Sequence, residues 1–488
     1  MQKRRVSVVV CLLSALAACS AGNDEGSVSS TNQALECSGL PAWSLHPYVG
    51  GDRVKSVGNA YQCKPFPFSG WCGVAAAYEP GVGFAWQDAW TLVDSCSTGS
   101  GGSSGTGGAS GGGGASAGHG GSGGAAAGAG GAGAGGTGAG GTGGAADADH
   151  DGLADSVETN TGVFVSPTNT GTNPNNADTD GDGISDGDET LGTSAGLNLP
   201  ALGANPLRKN VFIEYDWFND SLECGAHSHR PTPAAISQLN QAFANAPVSN
   251  PDHSTGVTLI NDFGQGGAFS GGNLVADADG VIAGAVFDSD YLTYRAQNFA
   301  SNRVGFFHYA LLPHRYDTNS SSSGYAAIVG DSLIVSLYCA NSDVNVADTI
   351  MHELGHNLGL RHGGDEDTNF KPNYNSVMNY AFQFSGVDTD CSQFGDMLLD
   401  YSRNRRITLN ENALSEPAGT CGNVAIDWNF SGTIDQGLLQ LDLNADSLFS
   451  SLHDYDDWAH LVYRWQSNGA LKNGVRQAVR CDNPAPIR

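Results

Sequence analysis

The chain is poor in positive charge. Its 488 residues contain 22 Lys and Arg against 50 Asp and Glu, which gives a formal net charge of −28. Nucleic-acid binding needs basic side chains against the phosphates, so this composition argues against it. Part of the acidic excess lies between residues 147 and 189, and the rest fits a solvated acidic surface. Such acidity suits an exported protein with calcium sites.

Long apolar runs are also scarce. Residues 6–16 form an apolar stretch that is too short to span a bilayer, and Lys3, Arg4 and Arg5 precede it. A basic region followed by such a stretch predicts an export signal over residues 1–18. No other segment of the sequence is long and apolar enough to be transmembrane, so membrane association is expected only through a lipid anchor.

The end of the export signal, Leu16-Ala17-Ala18-Cys19, resembles a bacterial lipobox. The resemblance implies cleavage before Cys19 and lipidation of its thiol, and Ser20 would not retain the protein at an inner membrane. Ordinary signal cleavage at the small residues nearby, which would release the protein, is the alternative. We therefore expect an exported protein that is either an outer-membrane or cell-surface lipoprotein or extracellular.

The eleven cysteines sort by region. Export makes disulfides expected. Beyond Cys11 and Cys19 of the signal, an even set lies near the N-terminus: Cys37, Cys63, Cys72 and Cys96. An odd set lies towards the C-terminus: Cys224, Cys339, Cys391, Cys421 and Cys481. One thiol of the odd set must therefore stay free or pair elsewhere. Cys224 could be a zinc ligand of a zymogen, but no matching pro-peptide motif surrounds it.

Changes in composition divide the chain into segments, as expected for a length that exceeds one ordinary domain. Gly, Ala, Ser and Thr occupy residues 97–146 almost without interruption, and such a stretch cannot bury enough apolar surface to order itself. We predict a multidomain protein with a tether at 19–36, a small module at 37–96, a flexible linker at 97–146, acidic repeats at 147–192 and a globular domain at 205–488.

Two acidic runs share the pattern D-x-D-x-D-G-x-x-D-x-x-E. Alternate carboxylates converge around a turn at the glycine, and the twelfth position holds an acid that can bind a cation through both oxygens. The runs resemble EF-hand or thrombospondin type 3 loops, which implies about two or more structural calcium ions. The expected ligands are Asp147, Asp149, Asp151, Asp155 and Glu158 in the first run, and Asp178, Asp180, Asp182, Asp186 and Glu189 in the second.

The small module is rich in aromatic residues and glycine. The segments 42–43, 48–63, 78–81 and 85–90 resemble family 5/12 carbohydrate-binding modules of chitinases and cellulases, whereas residues 66–72 depart from the family pattern. The resemblance implies a β module stapled by disulfides that binds a polysaccharide such as chitin or cellulose, with exposed rings stacked on sugars. The alternative is that these rings form the core of the module. The expected sugar contacts are Trp43, Tyr61, Trp71, Trp86 and Trp90.

Residues 352–362, HELGHNLGLRH, carry the strongest chemical signal. On a helix, His352 and His356 lie one turn apart and can bind one metal, while Glu353 lies beside them as a general base. Gly359 permits the turn that brings His362 back as a third ligand. The spacing predicts one catalytic zinc with an open fourth position.

This extended motif, with Ser376-Val377-Met378-Asn379-Tyr380 downstream, resembles the metzincin zinc endopeptidases. The resemblance implies an α/β (α+β) catalytic domain with a mixed sheet and a zinc-binding helix. It also implies that Met378 lies beneath the zinc without binding it, and that Tyr380 reaches the metal or the oxyanion. A simple packing role for Tyr380, and a catalytically inactive relative of the same fold, are the alternatives.

Hydrophobic periodicity predicts alternating strands and helices before this motif. The predicted strands are 211–217, 257–260, 304–312 and 333–337, and the predicted helices are 233–246, 289–300 and 346–358, with an apolar helix at 458–465 closing the chain. Residues 324–337 contain the expected sheet edge for a bound peptide. Residues 427–435 and 442–446 are weakly calcium-like. His227 and His229 could bind a second metal, but they are assigned, like His308 and His314, to ordinary surface or core positions.

The function expected from these features is peptide-bond hydrolysis by zinc-activated water on a protein or peptide substrate, held near polysaccharide by the N-terminal module. A calcium-stabilised, glycan-binding surface adhesin with a non-catalytic fold is the alternative, although the intact Glu353 argues against it. A hydrolase acting on sugar is a third hypothesis, and no recognisable carboxylate pair supports it.

Overall fold

The computed structural model describes residues 37–463 and 478–480, apart from residues 45, 47, 49, 65–71, 74–78, 83–85, 97–145, 222–223, 278, 283–286, 288, 317–321 and 340. The predicted export signal, the tether with Cys19, nearly all of the linker, Trp71 and Cys481 lie outside the described residues. Within the described part of the chain, no helix combines the length and the apolar character needed to cross a bilayer.

The N-terminal module is a three-stranded antiparallel sheet in the order β1-β2-β3. Its elements are the 3₁₀ turn Cys37–Gly39, β1 (Arg53–Ser56), β2 (Asn59–Cys63), α1 (Trp86–Ala89) and β3 (Trp90–Ser95). Two disulfides, Cys37–Cys96 and Cys63–Cys72, pair all four of its cysteines. A module of this size has little core, so the cross-links supply much of its stability.

The acidic repeats form two loops, followed by two short helices, α2 (Asp186–Leu191) and α3 (Leu199–Leu202). Ser185 caps α2 by accepting a hydrogen bond from the Asp188 amide. Gly152 and Gly183 have φ angles of +97° and +96°, so the glycine of each repeat adopts the backbone conformation that the turn requires.

A six-stranded mixed sheet forms the centre of the globular domain, in the order β17-β11-β12-β9-β4-β7. Strands β7, β4, β9 and β12 are parallel, and β11 is antiparallel to β12. The strands of this sheet are β4 (Asn210–Trp217), β7 (Thr258–Asp262), β9 (Phe307–Leu312), β11 (Gly324–Ala327), β12 (Ser332–Val335) and β17 (Ala478–Arg480). The sheet, few helices and disulfides give a mixed α/β architecture.

Three helices flank this sheet: α4 (Pro233–Ala244), α5 (Ser289–Asn298) and α6 (Asp343–Asn357). Helix α6 contacts α4, β11 and β12. Its residues from Asn345 to Asn357 are all buried, so neighbouring elements surround this part of the helix on every side. The predicted strand 304–312 begins only at Phe307, because Ser301–Arg303 form a 3₁₀ turn.

Short two-stranded ribbons lie outside the central sheet. They pair β5 (Asn219–Asp220) with β6 (His227–Ser228), β8 (Val281–Ile282) with β10 (Arg315–Tyr316), β13 (Leu409–Asn410) with β16 (Ser451–Leu452), and β14 (Leu414–Ser415) with β15 (Leu438–Leu439). The last two ribbons enclose a small separate core that includes Leu414, Ile426 and Trp428.

The predicted closing helix over residues 458–465 is wrong in its described part. Only the 3₁₀ turn Trp458–His460 forms, and Leu461 is extended. The buried Trp458 indole donates to Asp400 Oδ1 at 2.8 Å, and the Val462 amide donates to the Leu358 carbonyl at 2.8 Å. The chain therefore bonds to the loop that follows α6 instead of continuing its own helical hydrogen bonds.

Candidate active site

Helix α6 carries the first half of the predicted zinc motif. His352, Glu353 and His356 are fully buried near its C-terminal end. The helix ends at Asn357, and Gly359 follows with a φ angle of +98°. The Leu360 amide returns to the Gly355 carbonyl at 2.9 Å, and the reversed chain brings His362 to the two helical histidines.

The three imidazoles converge on one point, with one ring nitrogen of each lying within 4.8 Å of the others. Nδ1 of His352 donates to the Val377 carbonyl at 2.8 Å, and Nδ1 of His356 donates to the Leu360 carbonyl at 2.8 Å. These bonds leave the Nε2 lone pair of both rings directed away from the backbone, as in a metal-ligating histidine.

Burial keeps the three rings neutral. It lowers the pKa of His352 and His362 well below the usual value and that of His356 to about 4, and the neighbouring histidines lower the pKa of His352 and His362 further. Three neutral imidazoles, with the tautomers of His352 and His356 fixed by hydrogen bonds, fit the requirements of a zinc ion bound by nitrogen ligands. The chemistry of this donor set therefore fits the predicted metal.

Glu353 lies between the helix and the edge of the sheet. Its side chain is fully buried, and a Cβ on Gly324 of β11 would overlap Oε1 of Glu353. The absence of a side chain at position 324 therefore lets the carboxylate lie against the strand.

The predicted Met-turn lies beneath the histidines. Met378 is fully buried, and a Cβ on Gly355 would overlap its sulfur, so the glycine within H-E-L-G-H allows close contact between turn and helix. The Tyr380 ring centroid lies 4.4 Å from that of His362 and 5.7 Å from that of His352. Tyr380 thus lies beside the predicted ligands.

Sequence reasoning missed two residues that hold this arrangement. Asn357 donates to the carbonyls of Ala327 at 2.8 Å and Ser332 at 2.9 Å, which ties the end of α6 to the edge of the sheet. The buried Asp457 accepts hydrogen bonds from Ser376 at 2.6 Å and Tyr374 at 2.9 Å, which anchors the Met-turn. Both roles depend on hydrogen-bond partners that are distant in sequence, so no local sequence pattern could have identified these residues.

The prediction that residues 324–337 contain a free sheet edge is wrong for the described structure, because β11 lies between β12 and β17. Tyr325 pairs with Arg480, Ala326 with Val479, and Ala327 with Ala478, in antiparallel register. A segment distant in sequence thus occupies the outer side of this strand.

The acidic repeats have the same loop geometry twice. Asp147 accepts from the amide of His150 at 2.8 Å, and Asp178 accepts from the amide of Gly181 at 2.8 Å. Asp155 and Asp186 accept from the amide that follows each leading aspartate, at 2.8 and 2.9 Å. Carboxylates of the set come together in three groups: Asp147, Asp149 and Asp151; Asp151, Glu158 and Asp186; and Asp178, Asp180 and Asp182.

Several buried oxygens of this set have no hydrogen-bond partner among the described residues, as expected of cation ligands. They belong to Asp149, Asp151, Glu158, Asp180, Glu189 and Asn210. Burial and the neighbouring carboxylates raise the pKa of Asp180 to about 9 and that of Glu189 well above its usual value. Asn210, at the start of β4, was missed by the sequence reasoning. Its side-chain amide donates to Glu189 at 2.8 Å and thereby joins the second loop to the central sheet.

The aromatic residues of the N-terminal module divide by exposure. Tyr61 and Trp90 are 2% and 1% exposed, so they form its core, and the expectation that they contact sugar is corrected. Trp43 and Trp86 are half-buried. The Trp43 indole donates to the Cys72 carbonyl at 2.7 Å, and Trp86 packs edge-on against Tyr61 at 5.1 Å.

The C-terminal cysteines form two disulfides, Cys224–Cys339 and Cys391–Cys421. Cys224 is therefore not available as a zinc ligand, which corrects that hypothesis. His308 is a core residue, since its Nδ1 lies 3.1 Å from Asn357 Oδ1 and burial lowers its pKa. The weakly calcium-like runs donate backbone hydrogen bonds to two buried glutamates outside them, from Asn429 to Glu416 at 3.4 Å and from Leu443 to Glu411 at 2.6 Å.

Comparisons with known proteins match two separate parts of the chain. Residues 269–393 match the model of the Peptidase_M10 family, matrixin, and this range contains the histidine motif and the Met-turn. The match supports a metallopeptidase. No solved structure matches the chain.

The second group of relatives matches the N-terminal part of the chain. An endoglucanase, MaCel5A, of Microbulbifer sp. is 42% identical over 69 residues, which are 14% of this chain and 13% of the relative. The chitin-binding protein CbpD of Pseudomonas aeruginosa is 55% identical over 51 residues, 10% of this chain and 13% of the relative. A GlcNAc-binding protein A of Vibrio vulnificus is 49% identical over 51 residues, 9% of this chain and 10% of the relative. The chain thus spans about an eighth or less of the length of these curated relatives.

Proposed function

We propose that the chain is a zinc-dependent endopeptidase that hydrolyses proteins at a polysaccharide surface. The observation that carries this proposal is the convergence of His352, His356 and His362, all neutral and buried, beside a buried Glu353. These three histidines would hold the metal. When bound, zinc polarises the scissile carbonyl and lowers the pKa of the attacking water.

The residues of the chain supply the proton transfers. Glu353 accepts a proton from the attacking water and passes it to the leaving amine, which requires a carboxylate within reach of both. Tyr380, beside His362 and His352, donates a hydrogen bond to the oxyanion as it develops. Strand β11 aligns an extended peptide along the site by backbone hydrogen bonds when residues 478–480 leave its outer side.

The acidic repeats act as calcium sites that brace the catalytic domain. Their buried carboxylate oxygens without hydrogen-bond partners support cation binding, and Asn210 links the second loop to β4. About two or more calcium ions neutralise the clustered charge, so this segment is folded as a rigid base for the sheet that follows it.

The N-terminal module holds the enzyme on a β-linked polysaccharide such as chitin or cellulose. The names of the relatives that match it support this choice, as do the half-buried Trp43 and Trp86, whose accessible faces can stack on sugar rings. The protein is exported, and Cys19 carries a lipid anchor if the signal is processed as a lipoprotein.

The test is cleavage of an unfolded protein substrate by the full chain, with zinc and calcium present. Glu353→Ala is expected to lower kcat/KM by at least about 10²-fold, the usual contribution of a general base. Gln241→Ala, an exposed position on α4, is the matched control and should leave kcat/KM unchanged. Chelation of zinc should abolish cleavage, and zinc should restore it.

Absence of cleavage by the zinc-loaded chain, after any self-processing, would overturn the peptidase proposal. The calcium-stabilised adhesin would then be the better reading. Retention of the chain on chitin or cellulose is measured separately, because it tests the module and not the catalytic domain.

A further inference from the structure

A second cluster of metal-binding side chains lies outside the candidate active site. Asp220, His227, His229 and His314 each offer one ligand atom, and these four atoms lie within 4.8 Å of one another. The cluster contains three imidazoles and one carboxylate, which is a donor set that zinc accepts.

The fold assembles this cluster from two places in the chain. In the ribbon β5-β6, Asp220 is the antiparallel partner of His227. His229 lies two residues beyond His227, so it projects to the same side, and its amide donates to the Phe218 carbonyl at 3.0 Å. His314 follows the end of β9, the neighbour of β4 in the central sheet.

The distances between the ligand atoms fit a four-coordinate metal. Asp220 Oδ2 lies 2.8 Å from His229 Nε2, 3.1 Å from His314 Nδ1 and 3.3 Å from His227 Nε2. His229 Nε2 and His314 Nδ1 lie 3.3 Å apart. Ligands bound tetrahedrally at zinc distances are separated by roughly 3.3 Å. Two of the four separations equal this value and the other two, 3.1 and 2.8 Å, are shorter, so the four atoms are close enough to share one ion.

Hydrogen bonding alone accounts poorly for this geometry. Three imidazole nitrogens approach one carboxylate oxygen, which has two lone pairs, and two of these nitrogens also face each other. Nδ1 of His227 donates to the Gly225 carbonyl at 2.8 Å, so the Nε2 that faces the cluster carries a lone pair. Metal-ligating histidines typically have this second hydrogen bond.

We infer that Asp220, His227, His229 and His314 form a second, structural zinc site. The side chains of Asp220, His229 and His314 are 1–3% exposed and that of His227 is 19% exposed. Four protein ligands leave no open position for a substrate, so the site is structural and not catalytic. Together with the disulfide Cys224–Cys339, it fixes the connection between β4 and α4 onto the central sheet.

The zinc content of the purified full chain tests this inference. We expect two zinc ions in the wild type, one in His352→Ala/His356→Ala, one in His229→Ala, and none in the triple variant. His253→Ala, at an exposed histidine outside both clusters, is the control and should keep both ions. A full zinc complement in His229→Ala, or no zinc in His352→Ala/His356→Ala, would overturn the inference.

A second measurement covers the case in which His229→Ala does not fold. The His352→Ala/His356→Ala chain keeps the cluster intact and is loaded with cobalt(II) in place of zinc. Intense visible absorption bands of four-coordinate cobalt are expected, together with a rise in Tm when the metal is added. The weak absorption of six-coordinate cobalt, or no change in Tm, would contradict a closed structural site.

The pairing of β17 with β11 carries an independent inference about control of the candidate active site. Residues 478–480 lie antiparallel along the outer side of β11, the strand whose Gly324 contacts Glu353. A peptide that binds by strand addition needs the same backbone groups of β11.

We also propose that β17 is an inhibitory strand that competes with substrate, an inference that rests on the proposed peptidase function. Its test compares Val479→Pro with Val479→Ala in the full chain, because proline cannot donate a backbone hydrogen bond to a neighbouring strand. Val479→Pro should raise kcat/KM for a peptide substrate severalfold, chiefly through a lower KM, and Val479→Ala should leave it unchanged.

The outcomes separate the two proposals. Equal kcat/KM in Val479→Pro and the wild type, with both chains cleaving, would overturn the inhibitory strand and leave the peptidase intact. No cleavage by either chain would overturn the peptidase itself, and the inhibitory role with it.

Discussion

Gly324 on β11 lies directly against the carboxylate of Glu353 on α6, so that a Cβ at position 324 would overlap Oε1 of Glu353. This contact fixes the distance between the predicted general base and the strand proposed to align a peptide. A side chain larger than hydrogen at position 324 would therefore disturb the Glu353 carboxylate.

Gly324→Ala is expected to displace the Glu353 carboxylate and to lower kcat/KM by about 10²-fold, since a shift of about 1 Å in catalytic geometry has an effect of that size. Steady-state kinetics on a peptide substrate measures this. Gly437→Ala is the control, because a Cβ there meets no atom within 4 Å. An unchanged kcat/KM in Gly324→Ala would show that the contact has no role in positioning Glu353.

Asp457 predicts a pH dependence of stability. Burial raises its pKa to about 7, against the hydrogen bonds from Ser376, Ser402 and Tyr374, which lower it. Between its unfolded pKa, near 4, and about 7, the unfolded chain releases this proton while the folded chain keeps it. The contribution of Asp457 to the free energy of unfolding is therefore present at low pH and falls as the pH rises through this window, by no more than about 4 kcal/mol.

Urea unfolding at pH 4.5 and 7.5, roughly the two ends of that window, tests this expectation in the wild type and in Asp457→Asn. The decrease in unfolding free energy between the two values should be smaller in Asp457→Asn, because the amide does not titrate. Asp367→Asn, whose side chain is 66% exposed in the native chain, should behave as the wild type. The same decrease in unfolding free energy in all three chains would contradict the proposal that Asp457 causes this pH dependence.

The calcium proposal predicts opposite effects of Glu189→Gln with and without the ion. Removal of a carboxylate relieves repulsion within the calcium-free loop, so the variant should be more stable than the wild type after chelation. It should gain little from added calcium, whereas the wild type should gain about 2.7 kcal/mol at 100 times the Kd. Thermal unfolding with and without calcium measures both effects, and Asp188→Asn, next to it on α2, is the control. If the wild type and Glu189→Gln gained the same stability from calcium, Glu189 would not be a calcium ligand.

Asn357→Ala is expected to destabilise the fold by about 1–3 kcal/mol, because it leaves the buried carbonyls of Ala327 and Ser332 without this donor. It should also lower activity, since the end of α6 is no longer tied to the edge of the sheet. Chemical unfolding of the variant, beside the exposed Asn175→Ala, measures the first effect. Unfolding midpoints that agree within error would contradict it.

The N-terminal module predicts different effects for two of its tryptophans. Trp86→Ala should weaken retention on chitin or cellulose by roughly fivefold while the module stays folded, since a ring stacked on a sugar contributes about 1 kcal/mol. Trp90→Ala, which removes a buried core ring, should unfold the module. A polysaccharide pull-down with circular dichroism as the folding control distinguishes these results, and the exposed Leu92→Ala should leave both properties unchanged. Full retention of Trp86→Ala would exclude this ring from sugar binding.

Local patterns in the sequence predicted the order of the catalytic elements. The predicted strand 211–217 corresponds to Asn210–Trp217, and the predicted helix 346–358 corresponds to Asp343–Asn357, which begins earlier because Ser342 caps it. These elements depend on hydrophobic runs, caps and glycines that lie within one segment. The closing helix failed because contacts to Asp400 and Leu358, which are distant in sequence, outweighed its periodicity.

Contacts between distant segments explain what the sequence could not predict about the sites. His227 and His229 were assigned to ordinary positions because their partners Asp220 and His314 do not share a regular spacing with them. Asn357 and Asp457 were missed because a buried hydrogen bond requires knowledge of both partners. The pairing of β17 with β11 joins residues 478–480 to residues 325–327, a separation at which no local pattern operates.

The sequence by itself determined the chemistry that one short segment can hold: two histidines on one face of a helix with a glutamate beside them, a glycine that reverses the chain, and repeated carboxylates around glycine turns. These depend on backbone periodicity and on the conformations that glycine allows. Only the tertiary structure decided which distant side chains meet, including the cluster of Asp220 with three histidines and the strand that covers β11. Such meetings follow from the packing of the sheet and its connections, because burial and hydrogen bonding are satisfied over the whole domain at once.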